Sequence, residues 1–201
     1  AHMATDFTAL NVGGFPVLPQ GIPPTTGRIF YVSNRSGDSG SNGNDGLSVE
    51  RPFSTLANAY TLMTAGRGDV AIVMPGHAET ITTTLTPIAG SATIGLGWGA
   101  NKPVFTGSGA IDVFTLSAAN VLLRNIRVVG ASASVDSHID ISGADCTIEG
   151  VEFDCRATPL HSIDVSSAAA RATWKDCTWF AGAGCAVDYI WRSDTTTASG
   201  A

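Results

Sequence analysis

The chain repeats one pattern of apolar and polar residues three times, and this repeat limits the folds that it can adopt. The copies read SAANVLLRNIRVVG, SGADCTIEGVEFDC and SAAARATWKDCTWF, and Asn120, Asp145 and Arg171 align at steps of 25 and 26 residues. Apolar residues recur at alternate positions in every copy, as in strands with one buried face. A repeat of this length predicts a solenoid whose turns bury one another's apolar faces.

The alignment also predicts which side chains stack from turn to turn. The inward columns are Leu123, Ile148 and Trp174, and Val128, Phe153 and Trp179; the outward columns are Arg124, Glu149 and Lys175, and Arg127, Glu152 and Thr178. Opposite charges become neighbours when strands stack at about 4.8 Å. A break falls at Asn125, Gly150 and Asp176, and a further short strand precedes each copy, at 114–116, 139–141 and 163–165. Three strands per turn predict an all-β protein, a parallel β-helix.

A different pattern precedes the repeats. GRIFYV (27–32) is typical of a strand, and the Gly, Ser, Asn and Asp residues of 33–46 indicate a loop. Residues 51–65 carry apolar side chains at helical spacing, with Pro52 near the start and Gly66 after the end. Because the end of a solenoid exposes strand edges and core, we expect this α-helix to cap it.

These features divide the chain into five segments. Residues 1–3 are interpreted as a cloning scar, 4–26 as an extended proline-rich arm, 27–69 as the strand, loop and capping helix, 70–186 as the β-helix, and 187–201 as a tail or partial cap. The last segment shows no full repeat.

Composition argues against several classes of protein. The net charge is -6 and the cations are scattered, so nucleic acid is not an expected partner. The apolar runs are too short to span a membrane, and the absence of a signal peptide predicts a cytoplasmic origin. Cys146 and Cys177 fall in inward columns, whereas Cys155 and Cys185 fall near turns and could pair. A cytoplasmic origin favours reduced thiols for all four.

Two carboxylates are the candidates for catalysis. Asp140 and Asp164 each lie between apolar strand residues and therefore point outward in one column of adjacent turns. Such a pair could share a proton, bind a cation or act as a glycosidase pair. Four further residues could lie nearby: Asp136, His138, Asp154 and His161. The alternative, two solvated surface carboxylates, is favoured, and no column of Arg or Lys beside them supports a lyase. The sequence thus leans against an enzyme.

Other candidate sites have simpler interpretations. The loop residues Asp38, Asn42, Asn44 and Asp45 depart from the EF-hand order of calcium ligands and are interpreted as a turn cluster. His77 is interpreted as a hydrogen-bonded loop residue, and GLGWG (95–99) as a turn without the flanking helix of a dinucleotide site. We expect no metal and no cofactor.

The order of strand, loop ending in DG, helix opened by RPFSTL and GDVAIVMPGHAETI resembles the amino-terminal entry of right-handed parallel β-helices of the pectate-lyase type. GGFPVLPQGIPPTTGRIFYV together with GDVAIVMPGHAETI is similar to structural proteins of tailed bacteriophages. The resemblance implies a right-handed, single-stranded β-helix, a homotrimer and a place in the virion, assembled in the host cytoplasm. Its implied partners are the major capsid protein or a tail protein.

Two groups of residues are predicted to make these contacts. Leu122, Val129 and Phe180 are apolar at outward positions, which indicates packing between copies of the chain. The arm residues predicted to bind the particle are Phe15, Pro16, Val17, Leu18, Pro19, Ile22, Pro23 and Pro24, and a disordered linker is the alternative. The expected function is a non-enzymatic virion component, attached as capsid decoration or to the tail. The alternative is a tail-spike module that binds or cleaves host glycan, with Trp98 and Trp191 as further candidates.

Overall fold

The computed structural model describes residues 25–131, 135, 137–156, 161–181, 185 and 189–194, and the backbone of 10–12 and 15–17; at 161 and 189–194 the backbone alone is described. Its helix is α1 (Leu56–Leu62). Its strands are β1 (Leu10–Val12), β2 (Phe15–Val17), β3 (Ile29–Val32), β4 (Val70–Val73), β5 (Ala78–Ile81), β6 (Ala92–Gly95), β7 (Val104–Gly107), β8 (Phe114–Leu116), β9 (Leu122–Arg124), β10 (Arg127–Gly130), β11 (Ser137–Ile141), β12 (Thr147–Glu149), β13 (Glu152–Cys155), β14 (His161–Ser166), β15 (Thr173–Lys175), β16 (Thr178–Ala181) and β17 (Tyr189–Asp194).

The strands from β3 onward form three parallel sheets. Sheet 1 has the order β3-β4-β6-β9-β12-β15, sheet 2 the order β5-β7-β10-β13-β16, and sheet 3 the order β8-β11-β14-β17. The chain visits the three sheets in turn, which makes an all-β parallel β-solenoid of about four turns. β1 and β2 pair with each other in an antiparallel hairpin. Sheet 1 therefore begins at β3, inside the segment 27–69 that precedes the predicted β-helix, and β17 lies inside the predicted tail.

The predicted columns are confirmed by the strand register. Leu123 pairs with Ile148 and Ile148 with Trp174, and all three contribute to one apolar core. In sheet 2, Phe153 pairs with Trp179, and their rings stack with centroids 5.3 Å apart. The alternation of apolar and polar residues thus specifies which face of each strand is buried.

The turns between strands repeat a left-handed backbone conformation. Asn125 and Asp176, at the predicted break, have φ of 54°, and Gly150 between them has φ of 62°. This conformation costs Asn, Asp and Gly less than other residues because their side chains are short or absent. The side-chain amide of Asn125 also donates to the carbonyls of Gly95 and Gly97, at 2.8 and 3.0 Å. The break in each copy is therefore a tight corner of the solenoid.

The helix is shorter than the 51–65 predicted from its apolar spacing. Phe53 forms a bridge with Val32 of β3 and is fully buried, which holds the chain extended before the helix. The backbone N–H of Leu56 then donates to the carboxylate of Glu79, at 3.0 Å. Leu56 and Tyr60 bury one face of the helix in the core. Tertiary contacts, which helical spacing does not report, determine where the helix begins.

Asp69, just before β4, is a buried carboxylate held by four hydrogen bonds. Arg67 donates to both of its oxygens, at 2.7 and 2.6 Å, and the backbone N–H groups of Arg28 and Thr64 donate at 2.7 and 2.8 Å. Burial acts to raise the pKa of Asp69, but these bonds outweigh it and hold that pKa below its ordinary value. Asp69 thus joins the start of β3, the end of the helical region and β4.

The expectation that all four thiols are reduced is wrong for one pair. Cys155, at the end of β13, is bonded to Cys185 in a disulfide, with the two Cα atoms 5.8 Å apart. The fold brings the two residues together although 30 positions separate them. Cys146 and Cys177 are free and lie in the core, as predicted from their inward columns.

Candidate functional site

The third sheet brings Asp140 and Asp164 together as the sequence predicts. The two residues pair directly between β11 and β14, and both side chains are half-buried. Thr115 precedes them in the same column on β8, and Arg192 follows on β17. The backbone therefore places a basic residue beside the two carboxylates, contrary to the expectation that no Arg or Lys accompanies them.

Arg192 was missed because the last strand does not follow the repeat length. Ile139 pairs with Ile163, 24 residues later, whereas Ile163 pairs with Trp191, 28 residues later. The alternation VDYIWR was the available signal, but the longer step moves it out of alignment with the earlier copies. Lengthening of one connection leaves the strand itself intact.

The other residues expected near this pair have structural partners or are not described. His138 is fully buried, and its ring meets Phe153 edge to face at 5.8 Å. The carboxylate of Asp154 accepts two hydrogen bonds from Arg156, at 3.0 and 2.9 Å. Asp136 and the side chain of His161 lie outside the described residues. Among the described candidates, the structure brings Asp140 and Asp164 together and engages His138 and Asp154 elsewhere.

The outward charges of sheet 1 form a ladder of ion pairs. Glu149 lies between Arg124 of the preceding turn, at 2.6 Å, and Lys175 of the following turn, at 3.1 Å. Burial acts to raise the pKa of Glu149, but the hydrogen bonds from Arg124 and Lys175 outweigh it, so this pKa lies below its ordinary value. The predicted pairing of opposite charges along this column is confirmed.

A second ladder lies on sheet 2 and includes a residue that the sequence did not single out. Glu152 accepts from Arg127, as predicted, at 2.7 Å and also from Lys102, at 2.8 Å. Lys102 is nearly buried, and its ammonium donates to the carbonyl of Gly150 as well, at 3.1 Å. Burial acts to raise the pKa of Glu152, but the bonds from Lys102 and Arg127 outweigh it and lower that pKa. Lys102 lies before β7, outside the aligned repeats.

These ladders predict a loss of stability in acid. Because the pKa of Glu152 is lower in the folded protein than the ordinary value of about 4.3, its contribution is complete above about pH 5. It is lost as the pH falls through the lowered pKa. We expect Glu152→Gln to reduce the free energy of unfolding at pH 7 by about 1 kcal/mol and to make the urea midpoint less sensitive to pH below 4. Glu50→Gln, at an exposed loop position, is the control and should change neither quantity.

The loop 33–46 is held together by its own polar side chains. Asn42 accepts from the backbone N–H groups of Ser54 and Thr55, both at 3.2 Å, and Asp38 accepts from the hydroxyl of Ser33 at 2.5 Å. Within the described part of the chain, no group of three His, Cys, Asp or Glu residues could hold a metal ion. The loop residues have the structural partners that the turn interpretation requires.

His77 is buried and fixed by its neighbours. Its Nδ1 accepts from the backbone N–H of Asn34 at 3.1 Å, so Nε2 carries the proton and donates to Glu79, also at 3.1 Å. The same carboxylate oxygen of Glu79 accepts from Leu56 at the start of the helix. His77 therefore joins the loop after β3 to β5 and the helix, in agreement with its interpretation as a hydrogen-bonded residue.

The predicted interface residues differ in exposure. Val129 points away from the core but is 1% exposed, so it is not available to a neighbouring subunit. Leu122 is half-buried, and Phe180, in the same column as Val129, is 45% exposed. Trp179 beside it is 36% exposed because β16 lies at the edge of sheet 2. The burial of Val129 reduces the predicted set to Leu122 and Phe180.

Trp98, the other aromatic candidate for glycan binding, is 82% exposed and immediately precedes a short 3-10 turn, Gly99–Asn101. It lies before β7, in a loop well separated in sequence from the Asp140 column. The side chain of Trp191 lies outside the described residues. These observations place one exposed aromatic ring on the molecule without joining it to the carboxylates.

No protein-family model matches this chain, and neither does any curated protein or solved structure. Among the described residues, no helix is both long and apolar enough to cross a membrane.

Proposed function

We propose that the protein is a non-enzymatic structural component of a tailed-bacteriophage virion, assembled in the host cytoplasm and bound to the major capsid protein or a tail protein. The similarity of residues 13–32 and 68–81 to phage structural proteins supports the source. The ion-pair ladders support a structural role because the outward charges join one turn to the next.

The observation that carries the proposal is the exposed aromatic surface at the last turns. Phe180 points outward and is nearly half exposed, with the guanidinium of Arg127 5.8 Å from the centre of its ring. Aromatic residues and Arg are the residue types enriched where proteins bind one another. We propose that Phe180 and Leu122 pack against copies of the same chain in a closed homotrimer.

The arm, 4–26, supplies the proposed contact with the particle. Three arms projecting from one trimer would bind a repeating surface with avidity. The hairpin formed by β1 and β2 presents Phe15, Pro16 and Val17 for this contact. Attachment would then depend on the arm, and assembly on the solenoid.

Finer features of the fold belong to the same proposal. We propose that the solenoid is right-handed and single-stranded, as in the β-helices that the sequence resembles. We also propose that α1 caps its amino-terminal end, since Leu56 and Tyr60 cover core residues of the first turn.

Light scattering tests the assembly. The wild-type protein should have the mass of three chains of 20.6 kDa, and Leu122→Glu with Phe180→Glu should have the mass of one. An unchanged far-UV circular dichroism spectrum would show that this variant still folds. Thr61→Glu, at an exposed helix position, is the control and should remain trimeric. A wild-type monomer at micromolar concentration contradicts the proposal.

A tail-spike module that binds or cleaves host glycan is the second candidate. The column of Asp140, Asp164 and Arg192 favours it, because paired carboxylates with a nearby cation occur in enzymes that cleave polysaccharides. Labelling the protein on virions separates the candidates, since a position on the head favours the first and a position at the tail tip the second. Loss of glycan depolymerisation in Asp140→Asn with Asp164→Asn would establish the second.

A further inference from the structure

The outward face of sheet 1 carries an apolar cluster separate from the core. Its centre is Val70 and Ile72 of β4 and Ile94 of β6. Alternate residues of the same strands, such as Ala71 and Val73, belong to the core, so the cluster points away from it. The half-buried residues around the centre are Ile29, Tyr31, Ala92 and Leu96. We call these seven residues the outer apolar cluster.

The face changes character at β9. In the column of Ile94 the next residue is Arg124, followed by Glu149 and Lys175. The first three strands of the sheet therefore present apolar side chains where the last three present the ion-pair ladder. Solvent-facing positions of a sheet are usually polar, and a contiguous apolar patch indicates that another segment covers it.

The burial of the centre also requires a cover. Val70, Ile72 and Ile94 are 2%, 1% and 2% exposed. The described apolar members of the cluster come from β3, β4 and β6 or, in the case of Leu96, from the residue after β6. Neighbours in the same sheet shield the flanks of a side chain, whereas its outward end is shielded by something that lies on the face.

We infer that residues 18–24 of the same chain lie across the outer apolar cluster. This segment, LPQGIPP, carries Leu18 and Ile22 together with three prolines, a composition that favours an extended chain with little entropy to lose on docking. Proline also lacks a backbone N–H, so that less of the docked backbone requires a hydrogen-bond partner.

The position of the next residue supports this placement. The hydroxyl of Thr25 donates to the carbonyl of Gly68, two residues before β4. The segment therefore leaves the solenoid at the amino-terminal edge of the face. Seven extended residues reach about 23 Å, whereas β3, β4 and β6 span roughly 10 Å from the first strand to the third.

The inference is independent of the proposed function and complements it. A segment fixed on sheet 1 would hold the hairpin of β1 and β2 at a defined position beside the solenoid instead of on a free linker. Leu18, Pro19, Ile22, Pro23 and Pro24, which were predicted to bind the particle, would then bind the protein's own sheet.

Proteolysis by thermolysin, which cleaves before Leu and Ile, tests the inference on the full chain. We expect Ile72→Thr with Ile94→Thr to increase the rates of cleavage before Leu18 and Ile22 at least tenfold. Ile148→Val, which weakens the core without touching the face, is the control and should change these rates less than twofold. Equal rates in the wild type and the face variant would overturn the inference.

A second variant approaches the contact from the arm. Leu18→Ser with Ile22→Ser cannot disturb the core, so the far-UV spectrum should be unchanged while the fluorescence of bound 1-anilinonaphthalene-8-sulfonate rises severalfold. Unchanged fluorescence would contradict the inference. Protection of the wild type that disappears on dilution would assign the cover to the arm of another copy, and would also overturn it.

Discussion

The variant Ile148→Asp is expected not to fold, whereas Thr147→Asp, one residue earlier, is expected to fold with a small loss of stability. Ile148 is fully buried between Leu123 and Trp174, so an unpaired carboxylate there would lose its hydration without gaining a partner. That cost is at least several kcal/mol, comparable with the whole stability of a domain, about 5–15 kcal/mol. Far-UV circular dichroism and urea unfolding measure both variants.

Thr147 is the matched control because it occupies the same strand and points outward, where it is half-buried. A difference between the two variants therefore reports the direction of the side chain and not the presence of a new charge. Equal damage from both substitutions would show that the strand register is wrong.

Removal of the disulfide has the second largest expected effect. Cys155→Ser with Cys185→Ser should lower the free energy of unfolding, since the bond closes a loop of 30 residues in the unfolded chain. Chain entropy gives about 3.6 kcal/mol for a loop of this size. Guanidinium unfolding in the presence and absence of dithiothreitol measures the loss.

The reductant supplies an internal comparison. It should destabilise the wild type as much as the two serines do, and it should leave the serine variant unchanged. A wild type that is insensitive to dithiothreitol would mean that Cys155 and Cys185 are not joined in the protein as purified.

The sequence was sufficient for the features that depend on alternation within one strand. The columns of Leu123, Ile148 and Trp174 follow from a period of two, and so does the pairing of Glu149 with charges on both neighbouring turns. Asn125 marked a corner because few residue types adopt its backbone conformation at low cost. These signals are local and repeat three times.

Features that depend on contacts between distant segments could not be predicted in this way. The helix begins at Leu56 because Phe53 pairs with β3, and helical spacing contains no information about that bridge. Val129 was expected to be exposed because its position is outward, yet it is buried. Alternation distinguishes the two faces of a strand but does not report what lies on the outer one.

The candidate site was predicted in part for the same reason. Asp140 and Asp164 were placed side by side from their position between apolar residues, and β11 and β14 pair them. Arg192 in the same column depends on a connection of unusual length, which the repeat could not foresee. Cys155 and Cys185 depend on both geometry and oxidation, and the sequence fixes neither.

The parallel register from turn to turn has a consequence for how the molecule comes apart. Each strand from β6 to β14 pairs with the equivalent strand of the turn before and the turn after, so the contacts of a turn extend one step in either direction. Stability in such a stack is a sum of terms for single turns and for adjacent pairs. An interior turn is held on two sides and a terminal turn on one. Heating or mechanical force would therefore peel the structure from an end, and damage to one turn would be felt by its immediate neighbours and fade beyond them.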